Sequence, residues 1–122
     1  MPYTILIADD SRVIRDALRQ LFGKEEGFTI CGEAENGQDA VDQAQKLRPD
    51  LILLDLSMPV MNGLEAARVL KRVMPDVPVI MFSAYGDPTT EKAARSAGVW
   101  ALVSKFDNVS VLLGTAHSAL QH

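Results

Sequence analysis

The stretch Leu51-Ile52-Leu53-Leu54-Asp55 decides how the rest of the chain is organised. Four consecutive apolar residues do not suit a strand with one face in water, because successive side chains of a strand point to opposite faces. They suit a central strand covered on both faces, as in a parallel sheet between two layers of helices. The strand ends on a carboxylate, and open α/β sheets bind their ligands at the carboxyl ends of their strands. Asp55 is therefore the first candidate for the chemistry.

Length and composition indicate one globular domain. The chain has 122 residues, which is long enough to bury a core without disulfides. Its residues are 48% hydrophobic and 23% charged, a composition that is ordinary for a globular protein. A net charge of -4 excludes a basic surface for nucleic acid. The single cysteine, Cys31, cannot form an internal disulfide and favours a reducing compartment. Because no signal peptide and no apolar run of about 20 residues occurs, we expect a cytoplasmic protein that does not enter a membrane.

Four further segments have the length and composition of strands. We predict strands at Tyr3–Ala8, Phe28–Ala34, Val79–Phe82 and Val99–Val103, with the less hydrophobic Phe28–Ala34 at an edge of the sheet. Apolar residues at helical spacing follow each strand, which predicts five helices. This alternation predicts an α/β fold in three layers, a doubly wound (βα)5 parallel sheet with right-handed crossovers.

The helix boundaries have recognisable signals. Asn36 and Asn62 are predicted N-caps, and Asn62 is followed three residues later by Glu65, as in a capping box. The fourth helix, about Pro88 to Ala97, has few large apolar residues and is predicted to be the least firmly packed. The fifth begins near Asn108.

The first helix carries three arginines, Arg12, Arg15 and Arg19, on the face opposite a predicted apolar stripe. The stripe consists of Val13, Ile14, Ala17, Leu18, Leu21 and Phe22. A solvated helix face is the favoured interpretation, and a partner surface is the alternative. His117, beside the stripe of the last helix, is interpreted as a surface residue.

Polar residues stand at the ends of four strands: Asp9 and Asp10, Asp55, Ser83 and Lys105. The carboxyl ends of parallel strands share one edge of the sheet, so these side chains should converge. Two carboxylates about 4 Å apart repel by roughly 4 kcal/mol at an effective dielectric constant near 20. Lys105 supplies only one positive charge, so the cluster calls for a hard divalent cation with oxygen ligands, for which Mg²⁺ is the natural choice.

This arrangement suits phosphoryl transfer to a carboxylate. Asp55 would be the nucleophile toward phosphorus, and Asp10 would hold the metal with Asp9 behind it. Lys105 and the Ser83 hydroxyl would bind the phosphoryl oxygens. The predicted strand ends carry no histidine, which fits a mechanism without a general base.

Four motifs give the chain a resemblance to the receiver domain of two-component response regulators. They are Ile7-Ala8-Asp9-Asp10-Ser11, the run from Leu53 to Glu65, Ser83-Ala84 and Val103-Ser104-Lys105, and the resemblance covers essentially all of residues 1–122 as one receiver domain. It implies the flavodoxin-like strand order 2-1-3-4-5.

The resemblance also implies a function and its residues. A histidine kinase or a phosphotransfer protein would phosphorylate Asp55, and Asp10, Asp55 and the backbone carbonyl of Ser57 would hold Mg²⁺ (or Mn²⁺). Ser83 would then move toward the phosphoryl group and reshape the face built from helix 4, strand 5 and helix 5. Such a protein is not an enzyme beyond its own phosphotransfer and slow dephosphorylation.

Two positions depart from the family pattern. Leu102 stands where the family often has an aromatic residue that reports activation. A switch coupled to Ser83 would therefore work without an aromatic side chain there, and Tyr85 or Trp100 could take part instead. Phe106 stands where the family often has a proline after a cis bond. A cis bond without proline costs about 2.5–4 kcal/mol, so we predict a trans Lys105–Phe106 bond.

Alternatives remain open at this stage. One is a small Mg²⁺-dependent phosphatase with an aspartyl nucleophile, and another is a receiver-like interaction module that never takes up phosphate. A homodimer through the face of helix 4, strand 5 and helix 5 is also open. We expect no direct nucleic-acid binding by this domain, although a DNA-binding domain could follow it in a longer chain.

Overall fold

The computed structural model describes residues 2–84, 88–105 and 109–121. Within them five strands alternate with five helices, as predicted. The strands are β1 (Tyr3–Ala8), β2 (Phe28–Ala34), β3 (Leu51–Asp55), β4 (Val79–Ser83) and β5 (Ala101–Ser104). The helices are α1 (Arg12–Gly23), α2 (Gly37–Leu47), α3 (Gly63–Val73), α4 (Pro88–Ser96) and α5 (Val109–Leu120).

The strands form one parallel sheet in the order β2-β1-β3-β4-β5. This confirms the predicted doubly wound sheet and its strand order. All five residues of β3 are buried, as expected for the middle strand of a three-layer fold. Two apolar clusters cover the sheet, one formed with α1 and α5 and the other with α2, α3 and α4.

Side-chain caps begin two helices where the sequence predicts them. The Asn36 side chain accepts a hydrogen bond from the Asp39 backbone N–H at 2.8 Å, and Asn62 accepts one from Glu65 N–H at 2.9 Å. These caps satisfy N–H groups that have no partner inside the helix. The predictions concerning Tyr85, Asn108 and the Lys105–Phe106 bond lie outside the described residues.

The fifth strand begins two residues later than predicted. The backbone N–H of Val99 donates to the Ala94 carbonyl at 3.1 Å, so Val99 still belongs to the turn that ends α4. The strand proper begins at Ala101, which is paired with Ile80 of β4. Apolar composition alone did not show this, because Val99 is buried whether it lies in a strand or in a turn.

The prediction of a solvated arginine face on α1 is wrong for Arg15. Its residue surface is only 8% exposed, whereas Val13 of the predicted apolar stripe is 77% exposed. Arg15 precedes the buried Leu18 and Phe22 by three and seven residues, so it lies on the inner face of the helix. Its charge is accommodated there because the Glu33 carboxylate of β2 lies 3.1 Å from its Nε.

A bulge in β2 puts Glu33 on that side of the sheet. Ile5 pairs with Ile30, but the next residue of β1, Leu6, pairs with Gly32 and skips Cys31. Because side chains alternate along a strand, one extra residue exchanges the faces of all that follow. Glu33 therefore lies beside Ile7, which packs with α1 and α5.

Over the described residues, the helices are too short or too polar for any of them to cross a membrane.

Candidate functional site

Asp55 lies at the carboxyl end of the central strand and is almost completely buried, with 3% of its surface exposed. Its carboxylate accepts a hydrogen bond from the backbone N–H of Ser57. The turn after it is fixed by a hydrogen bond from Gly63 N–H to the Leu56 carbonyl at 2.9 Å. A side chain at Gly63 would overlap the Asp55 carbonyl oxygen, so the position requires glycine.

The two neighbouring acids at the end of β1 have different environments. Asp9 is completely buried and Asp10 is exposed. The Asp9 Oδ1 atom accepts a hydrogen bond from the Ser11 N–H at 2.8 Å. Its Oδ2 atom is buried and has no hydrogen-bond partner among the described residues, although Lys105 Nζ forms an ion pair with it at 3.2 Å.

Lys105 lies between the buried acids. Its Nζ is 3.0 Å from Asp55 Oδ1 and 3.2 Å from Asp9 Oδ2. Its backbone N–H donates to the Ser83 carbonyl at 2.8 Å, which ties the end of β5 to the end of β4. The strand ends therefore bring together the basic and acidic residues that the sequence analysis singled out.

Ser83 and Ser57 border the same edge. Ser83 is the last residue of β4 and is 3% exposed. Ser57 is exposed and, with Asp10, lines an open cavity of about 610 Å³. Leu102, which replaces the expected aromatic residue, is half-buried against the apolar cluster of α2, α3 and α4.

Burial and the neighbouring groups together shift the pKa values of Asp55 and Lys105. Burial raises the pKa of Asp55, and the neighbouring Asp9 charge adds to this; the hydrogen bonds from Lys105 and Ser57 oppose it without cancelling it. Burial by itself would lower the pKa of Lys105, but the hydrogen bond to Asp55 and the Asp9 charge raise it overall. Lys105 therefore stays charged, while Asp55 takes up a proton at a higher pH than an ordinary aspartate does.

The acids fit a divalent cation. Asp9, Asp10 and Asp55 each offer a carboxylate oxygen, and these oxygens all lie within 4.8 Å of one another. One of the buried oxygens, Asp9 Oδ2, has the Lys105 ammonium at 3.2 Å but no hydrogen-bond partner in the described part of the chain, so it can accept a further ligand. Since Lys105 neutralises only one of three negative charges, a hard divalent ion with oxygen ligands suits this donor set.

The sequence analysis did not include Arg15 among the site residues, although its side chain contacts the backbone of Asp9. Its Nη1 donates to the backbone carbonyl of Asp9 at 2.7 Å. The spacing from Arg15 to Leu18 and Phe22 was the available signal, because it places the arginine on the buried face.

Comparisons with known proteins agree with this geometry. The family model for the response regulator receiver domain matches residues 5–117. The transcriptional regulatory protein YdfI of Bacillus subtilis is 46% identical over 117 residues, covering 96% of this chain and 54% of YdfI. A protein-glutamate methylesterase/protein-glutamine glutaminase of Pyrococcus abyssi is 37% identical over 110 residues, covering 88% of this chain and 30% of the relative. The chain thus spans about half or less of the length of these two relatives.

A solved structure gives the same result for the fold. A chain in the crystal structure of the CheX-CheY-BeF3-Mg+2 complex from Borrelia burgdorferi superposes with a TM-score of 0.91 at 29% identity, covering 97% of this chain and 89% of that one. Since the family model matches most of the sequence and the strand order is the same, this chain belongs to the family of response regulator receiver domains.

Proposed function

We propose that Asp55 accepts a phosphoryl group from a histidine kinase or a phosphotransfer protein in a Mg²⁺-dependent reaction. The observation that carries the proposal is the buried Asp55 carboxylate, 3.0 Å from Lys105 Nζ and within 4.8 Å of oxygens of Asp9 and Asp10. A carboxylate can act as the nucleophile in covalent catalysis. The surrounding charges supply the positioning and neutralisation on which phosphoryl transfer depends.

In the proposed step a carboxylate oxygen of Asp55 forms a bond to phosphorus. The bond from phosphorus to the donor, a histidine nitrogen in the kinase, breaks, and the donor nitrogen keeps the electron pair. Lys105 lies where it can bind a phosphoryl oxygen while still contacting the acids. The Ser83 hydroxyl, at the neighbouring strand end, would bind another of these oxygens.

The metal would be held by Asp10, Asp55 and the backbone carbonyl of Ser57, with Asp9 behind them. The buried Asp9 Oδ2 and the exposed Asp10 support that division, because an exposed carboxylate can enter the coordination sphere without strain at β1. When bound, Mg²⁺ (or Mn²⁺) neutralises charge on the transferring phosphoryl group. The Borrelia complex that contains BeF3 and Mg+2 supports this assignment by analogy.

The proposed consequence is a change at the face formed by α4, β5 and α5. Ser83 is the link, because its carbonyl accepts the Lys105 N–H at 2.8 Å. Leu102 is half-buried, and Trp100, which precedes β5, is 41% exposed and lines a cavity with Glu91 of α4, so Trp100 offers the larger side chain for a rearrangement. A second copy of the chain and an effector are the alternative partners for this face.

The output belongs to whatever protein carries or binds this domain. YdfI is described as a transcriptional regulatory protein, and this supports a DNA-binding partner domain in a longer chain. We infer that residues 1–122 catalyse nothing beyond phosphotransfer to Asp55 and its slow dephosphorylation, and that they act in the cytoplasm.

The test uses the purified chain with Mg²⁺ and acetyl phosphate. We expect one phosphoryl group per chain, detected by intact mass, which is lost in Asp55→Asn and after removal of Mg²⁺. Asp42→Asn is the matched control, because Asp42 is an exposed acid on α2, and it should be labelled like the unmodified protein. Repeated turnover of varied phosphomonoesters would support the phosphatase instead, and absence of label would support the phosphate-independent module.

A further inference from the structure

We propose that Arg15 is a positioning residue for the metal site, and that it acts through the backbone of Asp9. The inference rests on the proposed function, since it concerns the same acids. The Arg15 side chain is only 9% exposed and makes three contacts at once, the longest being the 3.8 Å ion pair between its Nη2 and Oε1 of the exposed Glu35. Its Nη1 donates to the Asp9 carbonyl at 2.7 Å, and its Nε donates to Glu33 Oε1 at 3.1 Å.

The contact with Asp9 is made where the sheet ends. The last paired residue of β1 is Ala8, opposite Ala34, and the N–H of Asp9 donates to the Ala34 carbonyl at 3.0 Å. The Asp9 carbonyl lies beyond this pairing, and Arg15 provides its donor. Together with the hydrogen bond from Ser11 N–H to Asp9 Oδ1, this fixes the turn from which the Asp9 and Asp10 side chains project.

The Arg15 guanidinium is itself held in place. Glu33 also pairs with Arg19, whose Nη2 lies 2.6 Å from Oε2, and the Gln43 side chain donates to the Glu33 carbonyl at 2.6 Å. Burial would raise the pKa of Glu33, but the hydrogen bonds from Arg19 and Arg15 lower it overall. Glu33 therefore remains ionised and gives the buried arginine a permanent counter-charge.

A purely structural role explains these contacts less well. A buried ion pair adds little stability compared with apolar residues of the same volume, and the positions three and seven residues later, Leu18 and Phe22, are apolar. A guanidinium is needed when a carbonyl and a carboxylate must be reached together, because its donors form a rigid fork. The groups that orient a metal's ligands commonly change its affinity by about 10- to 100-fold.

The experiment measures Mg²⁺ binding directly, without phosphorylation. The Kd for Mg²⁺ alone is obtained from backbone amide chemical shifts at the site in the unmodified protein, Arg15→Met and Arg19→Met. Arg19 contacts the same Glu33 carboxylate but is half exposed, and no contact joins it to Asp9 among the described residues. We expect Arg15→Met to weaken Mg²⁺ binding at least about tenfold, and Arg19→Met to change it less than about twofold.

A conservative variant keeps the proposal testable if Arg15→Met does not fold. Arg15→Lys retains the charge, but its single ammonium cannot hold Glu33 and the Asp9 carbonyl in the fork geometry. We expect an intermediate loss of Mg²⁺ affinity, about three- to tenfold. Equal affinities in the unmodified protein and in every folded Arg15 variant would overturn the proposal.

The two proposals fail in different ways. If the unmodified protein binds Mg²⁺ but takes no phosphoryl group from acetyl phosphate, the proposed function fails while a selective effect of Arg15 on the Kd still supports the inference. If it is phosphorylated and the Arg15 variants bind Mg²⁺ as it does, only the inference fails. If it binds no Mg²⁺, both are overturned.

Discussion

Replacing Lys105 by methionine should expose how strongly the buried acids repel one another. Lys105 Nζ contacts Asp55 Oδ1 at 3.0 Å and Asp9 Oδ2 at 3.2 Å. Each contact corresponds to an attraction of about 5 kcal/mol at an effective dielectric constant near 20, before desolvation is subtracted. Removing one partner of a buried ion pair typically costs about 3–5 kcal/mol. The raised pKa of Lys105 means that its ammonium is charged at neutral pH, so this stabilisation is present there and is lost as pH rises through that pKa.

Protonation sets an upper limit on the loss. Without Lys105, one of the two buried carboxylates can take up a proton, which for a carboxyl group with an ordinary pKa near 3.9 costs about 4 kcal/mol at pH 7. We therefore expect a loss of about 3–4 kcal/mol in the free energy of unfolding. The loss should shrink by up to about 1.4 kcal/mol for each pH unit below 7, because an acid whose folded-state pKa is raised gains stability as pH falls.

The assay is urea denaturation at several pH values without divalent ions. With a slope of about 1–3 kcal/mol per molar urea, the midpoint should fall by roughly 1–4 M at pH 7. Lys46→Met is the matched control, because Lys46 is an exposed lysine of α2 whose replacement should change stability by less than about 0.5 kcal/mol. A loss for Lys105→Met that is independent of pH, or below about 1 kcal/mol, would refute this account of the site's charges.

Three further predictions concern the same region. Because burial raises the pKa of Asp55, protons should compete with Mg²⁺ at a pH above the ordinary aspartate value near 3.9. The Kd for Mg²⁺ is measured from amide shifts at decreasing pH, starting from pH 7. A Kd that stays constant down to about pH 4 would contradict this prediction. Gly63→Ala should destabilise the fold by about 1–3 kcal/mol in urea titrations, since its methyl group would overlap the Asp55 carbonyl; an unchanged midpoint would show that the turn can move. Val60 is 83% exposed and has a φ of 69°, a conformation that strains a β-branched residue. Val60→Asn should therefore raise the free energy of unfolding by about 1 kcal/mol in the same titrations. A decrease would mean that the valine side chain stabilises the turn.

The position of the candidate site could be predicted because it depends only on where strands end. The apolar run before Asp55 identifies the central strand, and in a parallel sheet every strand then delivers its last residues to one edge. Errors in strand boundaries hardly affect this result. β5 begins two residues later than predicted, yet Lys105 still follows its last residue and contacts Asp55 at 3.0 Å.

The contacts of the buried Arg15 with Asp9 and Glu33 could not be predicted in the same way. The skipped residue Cys31 reverses the faces of β2 after Ile30, and the sequence pattern of a half-exposed edge strand does not show such a reversal. Without that reversal Glu33 would face α2, and a buried Arg15 would lose its nearest counter-charge, leaving only the exposed Glu35 at 3.8 Å. The helical spacing indicated that Arg15 lies on the inner face of α1. Because charged residues are rarely buried, the sequence nevertheless favoured an exposed position for it.

The two cations near Asp9 make different contacts, and under the proposed function this difference leaves the acids free to bind a divalent metal. Lys105 lies against the carboxylates and removes one unit of their charge. Arg15 binds the Asp9 carbonyl and directs its other donors to Glu33 and Glu35, so in the proposed role it orients the turn without neutralising the aspartates. Had Arg15 reached the Asp9 carboxylate, a divalent ion would have to compete with a second fixed cation. In the described residues the three aspartates and Lys105 instead leave two negative charges, which a single divalent cation balances.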